Sequence, residues 1–118
     1  MSIPAIALTV ILAAQFTVFG ILKLAAVKQM RDRAAHVGMS VTTFRVIGAL
    51  EVAGAAGLVI GTVWWPVGLA AGIGLVLLMV GAIATHLRVR DKFSEAAPAI
   101  VTFFLAISYV ALVLTVDR

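Results

Sequence analysis

Three residues of this sequence could hold a charge or move a proton in an otherwise apolar setting: Lys23, Glu51 and His86. Glu51 lies near the middle of the run RVIGALEVAGAAGLVIG, residues 45–61, which contains no other acidic residue. An isolated carboxylate in such a run is costly, so Glu51 must either have a partner or be held neutral. A partner would make an ion pair, whereas a neutral carboxyl group in a dry pocket could transfer a proton to or from a substrate.

The composition indicates that these residues lie in a membrane. Of 118 residues, 64% are hydrophobic and only 12% are charged, and the mean hydropathy is +1.20. A soluble domain is about half apolar and about a quarter charged. Four nearly uncharged stretches match the roughly 20 residues that span a bilayer as a helix. They predict transmembrane helices at roughly residues 3–26, 41–63, 65–87 and 97–116.

Lipid offers no hydrogen-bond partner to a free backbone group, so each span must be a helix. The sequence therefore predicts an all-α fold, an integral membrane four-helix bundle that forms a single domain over residues 1–118. Between the first two spans, VKQMRDRAAHVGMS alternates basic and apolar residues at near-helical spacing, which predicts a short amphipathic surface helix capped by Gly38. Pro4, Pro66 and Pro98 each suit the first turn of a spanning helix.

Basic residues are concentrated on one side of the predicted bundle. The net charge is +4, and eight of the nine Lys and Arg residues fall on the side of the first and third loops: Lys23, Lys28, Arg31, Arg33, Arg45, Arg88, Arg90 and Lys92. The positive-inside rule then predicts that the basic loops face the cytoplasm and that both termini lie outside. This arrangement favours a basic membrane rim over a nucleic-acid site. The absence of cysteine excludes thiol chemistry, and no metal site is predicted.

Helical geometry suggests where Glu51 finds its partner. Glu51 lies about 9 Å inward of Arg45, in the cytoplasmic half of the membrane. Lys23 closes the first span and His86 closes the third, so both approach the same layer. On their helices, Lys23 shares a face with Gln15, and Glu51 is flanked by small residues that permit close contact. Lys23 is the first choice of partner, followed by Arg45 and His86.

These residues form a candidate polar pocket. The candidate ligand-binding residues are Gln15, Lys23, Arg45, Glu51 and His86, and the candidate catalytic residues are Glu51, Lys23 and His86. The same groups could equally form a network that fixes helix register, or a polar contact with another subunit. Taken singly, Gln15 favours an interhelical hydrogen bond, His86 could be solvated at the interface, and His36 favours solvation. Tyr109 is expected to pack and to donate one hydrogen bond.

Small residues mark where the spans should touch. The candidate helix-packing glycines are Gly20, Gly48, Gly54, Gly57, Gly61, Gly68 and Gly72, which include two GxxxG pairs at 57/61 and 68/72. Gly74 and Gly81 add further small positions. Packing within one chain is the favoured interpretation, and contacts within a homo-oligomer are the alternative.

Three segments give the sequence its resemblance to a known family: FGILKLAAVKQM, FRVIGALEVAGAAGLVIG and GIGLVLLMVGAIATHLRVRD. In this order they resemble the DoxX-like family of small bacterial membrane proteins. The resemblance implies a four-helix bundle, and it points to the motif positions Gly20, Lys23, Arg45, Gly48, Glu51 and His86. Members of the wider family are associated with thiosulfate oxidation that feeds electrons to quinone, and with membrane oxidoreductase assemblies that handle oxidative stress.

The resemblance and the polar residues together predict an accessory or quinone/lipid-facing membrane subunit of an oxidoreductase system. Quinone is the candidate cofactor, and the candidate partners are the lipid bilayer and a membrane oxidoreductase. Two alternatives stay open. One is a membrane enzyme in which Glu51 transfers a proton on a lipid-like or isoprenoid substrate, and the other is an oligomeric small-molecule transporter.

Overall fold

The computed structural model describes all 118 residues and contains five α-helices and no strand. The helices are α1 (Ile3–Leu24), α2 (Lys28–His36), α3 (Val41–Ile60), α4 (Trp65–Arg88) and α5 (Phe93–Leu112), and α5 continues as a π-helical turn over Val113–Asp117. All except α2 are long and apolar enough to cross a membrane. The predicted all-α four-helix membrane bundle, with a short helix between its first two spans, is confirmed.

Local capping explains where the helices begin and end. Ser2 and Ser40 cap α1 and α3 by accepting hydrogen bonds from backbone N–H groups in the first turn. At the end of α2, Gly38 adopts a left-handed φ of 74°, and Met39 donates its N–H to the carbonyl of Ala34. Gly38 therefore caps α2 as predicted. Arg90 takes the equivalent position after α4 at a φ of 56°, although a side chain there costs about 1 kcal/mol.

The last spanning helix, α5, begins earlier than the position of Pro98 led us to expect. Pro98 was expected in the first turn, but α5 begins at Phe93 and Pro98 is its sixth residue. The first turn closes before the proline because the Lys92 carbonyl accepts the N–H groups of Glu95 and Ala96. Because proline has no N–H, the helix loses only the hydrogen bond that residue 98 would donate to the carbonyl of Ser94. Ser94 is exposed and lies in the first turn of α5. The second span ends slightly earlier than predicted, at Ile60.

The four spans form a ring in which α1 packs on α3, α3 on α4, α4 on α5, and α5 on α1. Their shared core includes Leu12, Phe16, Leu58, Leu75 and Tyr109. On the outside, Val10, Leu77 and Phe104 are each more than half exposed. An apolar outer surface is what contact with lipid requires, so polar chemistry is confined to the interior and the two ends of the bundle.

We call the two ends of the bundle the basic-loop side, where residues 25–40 and 89–92 lie, and the terminal side. The terminal side carries both chain ends and the turn 61–64. There the backbone N–H and the hydroxyl of Ser2 donate to the two carboxylate oxygens of Asp117, at 2.5 and 2.9 Å. The first helix and the last are thus joined at their ends.

Glycines allow the spans to touch backbone to backbone. A Cβ atom on Gly48 would lie 2.6 Å from the carbonyl oxygen of Gly20, and one on Gly61 would lie 2.5 Å from the Cα of Gly68. Three more of these glycines pack closely against side chains of a neighbouring helix: Gly54, Gly57 and Gly72. A Cβ atom on any of them would lie less than 3.0 Å from such a side chain. Gly74 and Gly81 instead have no such neighbour within 4 Å, so they do not pack within the chain.

Tyr109 fills the space that these glycines leave. Its hydroxyl lies against Gly61 and Gly68, and its ring lies beside Gly72. The hydroxyl is buried and makes no hydrogen bond, so the expected bond is absent. The reason is that the surrounding glycines present Cα atoms to the hydroxyl.

Candidate functional site

A buried ion pair joins α1 to α3. The Nζ atom of Lys23 donates to Oε1 of Glu51 at 2.6 Å, and the two side chains are 15% and 4% exposed, respectively. The choice of Lys23 as the partner of Glu51 is confirmed. The carboxylate therefore persists among apolar helices because a cation from the neighbouring span compensates it.

The contact between Gly20 and Gly48 positions this pair. Lys23 and Glu51 each lie three residues after one of these glycines, on helices that run in opposite directions. The two residues therefore lie on opposite sides of the helix contact and are offset from each other along the helix axes. Side chains lean toward the N-terminus of their own helix, so the side chains of Lys23 and Glu51 lean toward each other. The long lysine spans the remaining distance.

Two aromatic rings flank the ammonium group of Lys23. Its Nζ atom lies 5.5 Å from the ring centroid of Phe44 and 6.0 Å from that of Phe19. Both distances allow a cation–π attraction, which supplements the single hydrogen bond to Glu51. Sequence reasoning did not include Phe44, although its spacing of seven residues from Glu51 places both on one face of α3.

Two of the candidate residues lie elsewhere. Arg45, a second-choice partner for Glu51, instead donates from Nε to the carbonyl oxygen of Leu24 at 3.0 Å and so caps the end of α1. Gln15 donates from Nε2 to Oγ1 of Thr102 at 2.7 Å, which joins α1 to α5. This interhelical hydrogen bond is the role that the sequence favoured for Gln15.

His86 belongs to a second polar cluster and not to the Lys23–Glu51 pair. Its Nδ1 atom lies 2.6 Å from Oδ2 of Asp91, while Nε2 of His36 lies 2.6 Å from Oδ1 of the same carboxylate. The expectation that His86 joins Glu51 is wrong because the left-handed Arg90 folds the chain back, and Asp91 then donates its N–H to the carbonyl of His86. His36 is also more than a solvated residue, since it ties α2 to this turn.

A family model described as the DoxX-like family matches residues 7–108 of the chain. The chain belongs to the DoxX-like family. Both polar clusters of this DoxX-like protein, the Lys23–Glu51 pair and the His36–Asp91–His86 cluster, lie within the matched residues. No curated protein and no solved structure matches it significantly.

In the second cluster of this DoxX-like protein, Asp91 is the acidic residue that both histidines contact. Hydrogen bonds from His36 and from His86 hold the pKa of the Asp91 carboxyl below its ordinary value. The charged form is thus favoured in the folded protein, and it stabilises the docking of α2 at neutral pH. A second contact, from Nη2 of Arg88 to the carbonyl of Val37 at 2.9 Å, supports the same docking.

We expect Asp91→Asn to loosen α2 without unfolding the spans. The neutral amide loses charge-assisted bonds to two imidazoles, so hydrogen exchange of the α2 amides should accelerate about tenfold at neutral pH. Asp32→Asn is the matched control, because Asp32 is exposed and lies 4.0 Å from Lys28. Equal exchange rates in the two variants would contradict a role for Asp91.

The pH dependence of the same measurement follows from the lowered pKa of Asp91. Because folding lowers this pKa, the Asp91 carboxylate stabilises the docked α2 fully at any pH above the ordinary pKa of an aspartate. This stabilisation is lost only as the pH falls through the lowered pKa. The wild type should therefore keep α2 docked through mildly acidic pH and release it in stronger acid.

Proposed function

We propose that this DoxX-like protein is an accessory membrane subunit of an oxidoreductase system, and that its Lys23–Glu51 pair receives the headgroup of a quinone or a quinone-like lipid. In this proposal the chain lies in a bacterial inner membrane with its basic loops in the cytoplasm and its termini outside. The observation that carries the proposal is the ion pair itself, a buried carboxylate bound to a single lysine between two spans. Ionisable groups in spans are rare and usually serve a ligand, an ion or a proton.

The hydrogen-bonding capacity of the pair supports a polar ligand. An ammonium group carries three N–H donors, and Lys23 uses one of them within the protein. On Glu51, Oε1 accepts that bond, and Oε2 makes none. A quinone offers carbonyl oxygens that accept from an ammonium group, and its reduced form offers hydroxyl groups that donate to a carboxylate. The pair is therefore chemically suited to both oxidation states.

The surroundings of the pair support a flat, apolar ligand with a polar edge. Phe19 lies on the outer surface of α1 at 36% exposure, and the side chain of Lys23 is itself partly exposed. A ring that approached from the lipid would therefore meet Phe19 and Phe44 before it met the ammonium group. Such rings favour stacked or edge-on contacts with another π-system.

The proposal is tested by measuring the binding of a short-chain ubiquinone analogue to the purified protein, by equilibrium dialysis in mild detergent. The wild type should bind, and Glu51→Gln should weaken binding about tenfold through the loss of a charge-assisted contact. Glu95→Gln is the matched control, because Glu95 is an exposed acid in the first turn of α5. Failure of the wild type to bind, or equal affinity in Glu51→Gln, would contradict the proposal.

A further inference from the structure

A polar cavity of about 620 Å³ lies on the basic-loop side, apart from the Lys23–Glu51 pair. It opens between α2 and the loop that joins α4 to α5. Its charged and titratable lining includes Arg33, His36, Arg90, Asp91, Lys92 and Glu95. The proposed function makes no use of this cavity.

The three cations of the cavity have no partner within the protein. Arg33, Arg90 and Lys92 make no side-chain hydrogen bond and no ion pair, whereas the guanidinium groups of Arg45 and Arg88 both donate to backbone carbonyls. The donors that face the cavity are thus free to bind a ligand.

The cavity lining also carries three carboxylates, those of Asp32, Asp91 and Glu95. Both carboxylate oxygens of Asp91 are occupied by His36 and His86. Asp32, also in the lining, lies 4.0 Å from Lys28. Glu95 is the one lining carboxylate without a basic or histidine partner. The formal charges of the three cations and three carboxylates therefore balance, but all three cations keep free hydrogen-bond donors.

Backbone features place further hydrogen-bond donors at the cavity. Arg90 adopts a left-handed backbone conformation, in which glycine is the usual residue, and its side chain lines the cavity. Lys92 is the N-cap of α5 and makes no side-chain capping bond. The N–H groups of Phe93 and Ser94, at the start of α5, make no hydrogen bond and carry partial positive charge next to Lys92.

From these observations we propose that the cavity binds a phosphate group, carried either by an anionic lipid headgroup or by a soluble phosphate compound. Guanidinium groups present paired N–H donors that match phosphate oxygens, and Lys92 adds a third charge. Both sources share this chemistry. A site beside the surface helix α2 can be reached from the headgroup layer and from water.

The test compares the wild type, the double variant Arg33→Gln/Arg90→Gln, and Arg31→Gln. Arg31 is the matched control, because it is an exposed arginine of α2 that does not line the cavity. One arm measures binding of inorganic phosphate by calorimetry in detergent. The other measures phosphatidylglycerol retained after release from phosphatidylcholine/phosphatidylglycerol nanodiscs, by native mass spectrometry.

We expect the double variant to lose at least tenfold in phosphate or phosphatidylglycerol binding, and Arg31→Gln to retain it. Binding in the phosphate arm would identify a soluble ligand, and binding in the lipid arm alone would identify a headgroup. Absence of binding in both arms, or equal loss in Arg31→Gln, would overturn the proposal. Should the double variant fail to fold, Arg33→Gln alone serves, since the Arg33 side chain makes no hydrogen bond or ion pair within the protein. Glu51→Gln should leave both arms unchanged, which separates this site from the proposed quinone site.

Discussion

Lys23→Met should lower the free energy of unfolding of this protein by about 3–5 kcal/mol. The substitution removes the only hydrogen-bond donor to Glu51, whose side chain is 4% exposed. A carboxylate left without a partner in that setting must either stay charged at high cost or take up a proton. Both outcomes weaken the contact between α1 and α3.

Unfolding by SDS in mixed micelles measures this loss. Lys28→Met is the matched control, because Lys28 is an exposed lysine whose nearest acid lies at 4.0 Å, and it should change stability little. The double variant Lys23→Met/Glu51→Met should recover most of the loss, since an apolar pair of similar size replaces a buried ion pair at little cost. A double variant as unstable as Lys23→Met would show that packing, and not the unpaired charge, causes the effect.

Gly48→Ala is expected to cost about 3 kcal/mol of stability. The new Cβ atom would lie 2.6 Å from the carbonyl oxygen of Gly20, 2.7 Å from Cβ of Lys23 and 3.0 Å from the backbone nitrogen of Leu24. Two of these are backbone atoms, so relief requires α1 and α3 to separate. Alanine is favoured over glycine in a helix by about 1 kcal/mol, and that gain is too small to offset the clash.

Gly81→Ala is the matched control for this prediction. Gly81 lies within α4, and a Cβ atom there meets nothing within 4 Å, so the variant should be neutral or stabilised by up to about 1 kcal/mol. The same SDS titration compares the two variants. If Gly48→Ala proved as stable as Gly81→Ala, the backbone contact between α1 and α3 would not limit stability.

The spans and the buried ion pair could be predicted because strong constraints act on them. Hydropathy and bilayer thickness nearly determine the helices, and few acids can lie between them. Once α1 and α3 run in opposite directions, Lys23 and Glu51 must reach one layer. Their pairing then follows from the small residues beside Glu51, which allow α1 to approach.

The second cluster could not be predicted because it depends on the conformation of a turn. His86 and Asp91 are brought together by the left-handed backbone of Arg90, a residue type that gives no signal for this conformation. Hydropathy is equally silent about Pro98, because a helix that begins before a proline and one that begins at it have almost the same apolar content. The partner of His86 and the start of α5 therefore depend on the geometry of the loop between α4 and α5, which the periodicity of the spans does not indicate.

The location of the ion pair has a consequence for biogenesis. Lys23 and Glu51 belong to α1 and α3, which precede α4 and α5 along the chain and so leave the ribosome before them. The spans α4 and α5 contain no Asp, Glu, Lys, Arg or His within their apolar middle portions. The charge of Glu51 can therefore be compensated as soon as its own span has left the translocon, before the later spans are synthesised. The later spans can enter the bilayer on their hydrophobicity alone.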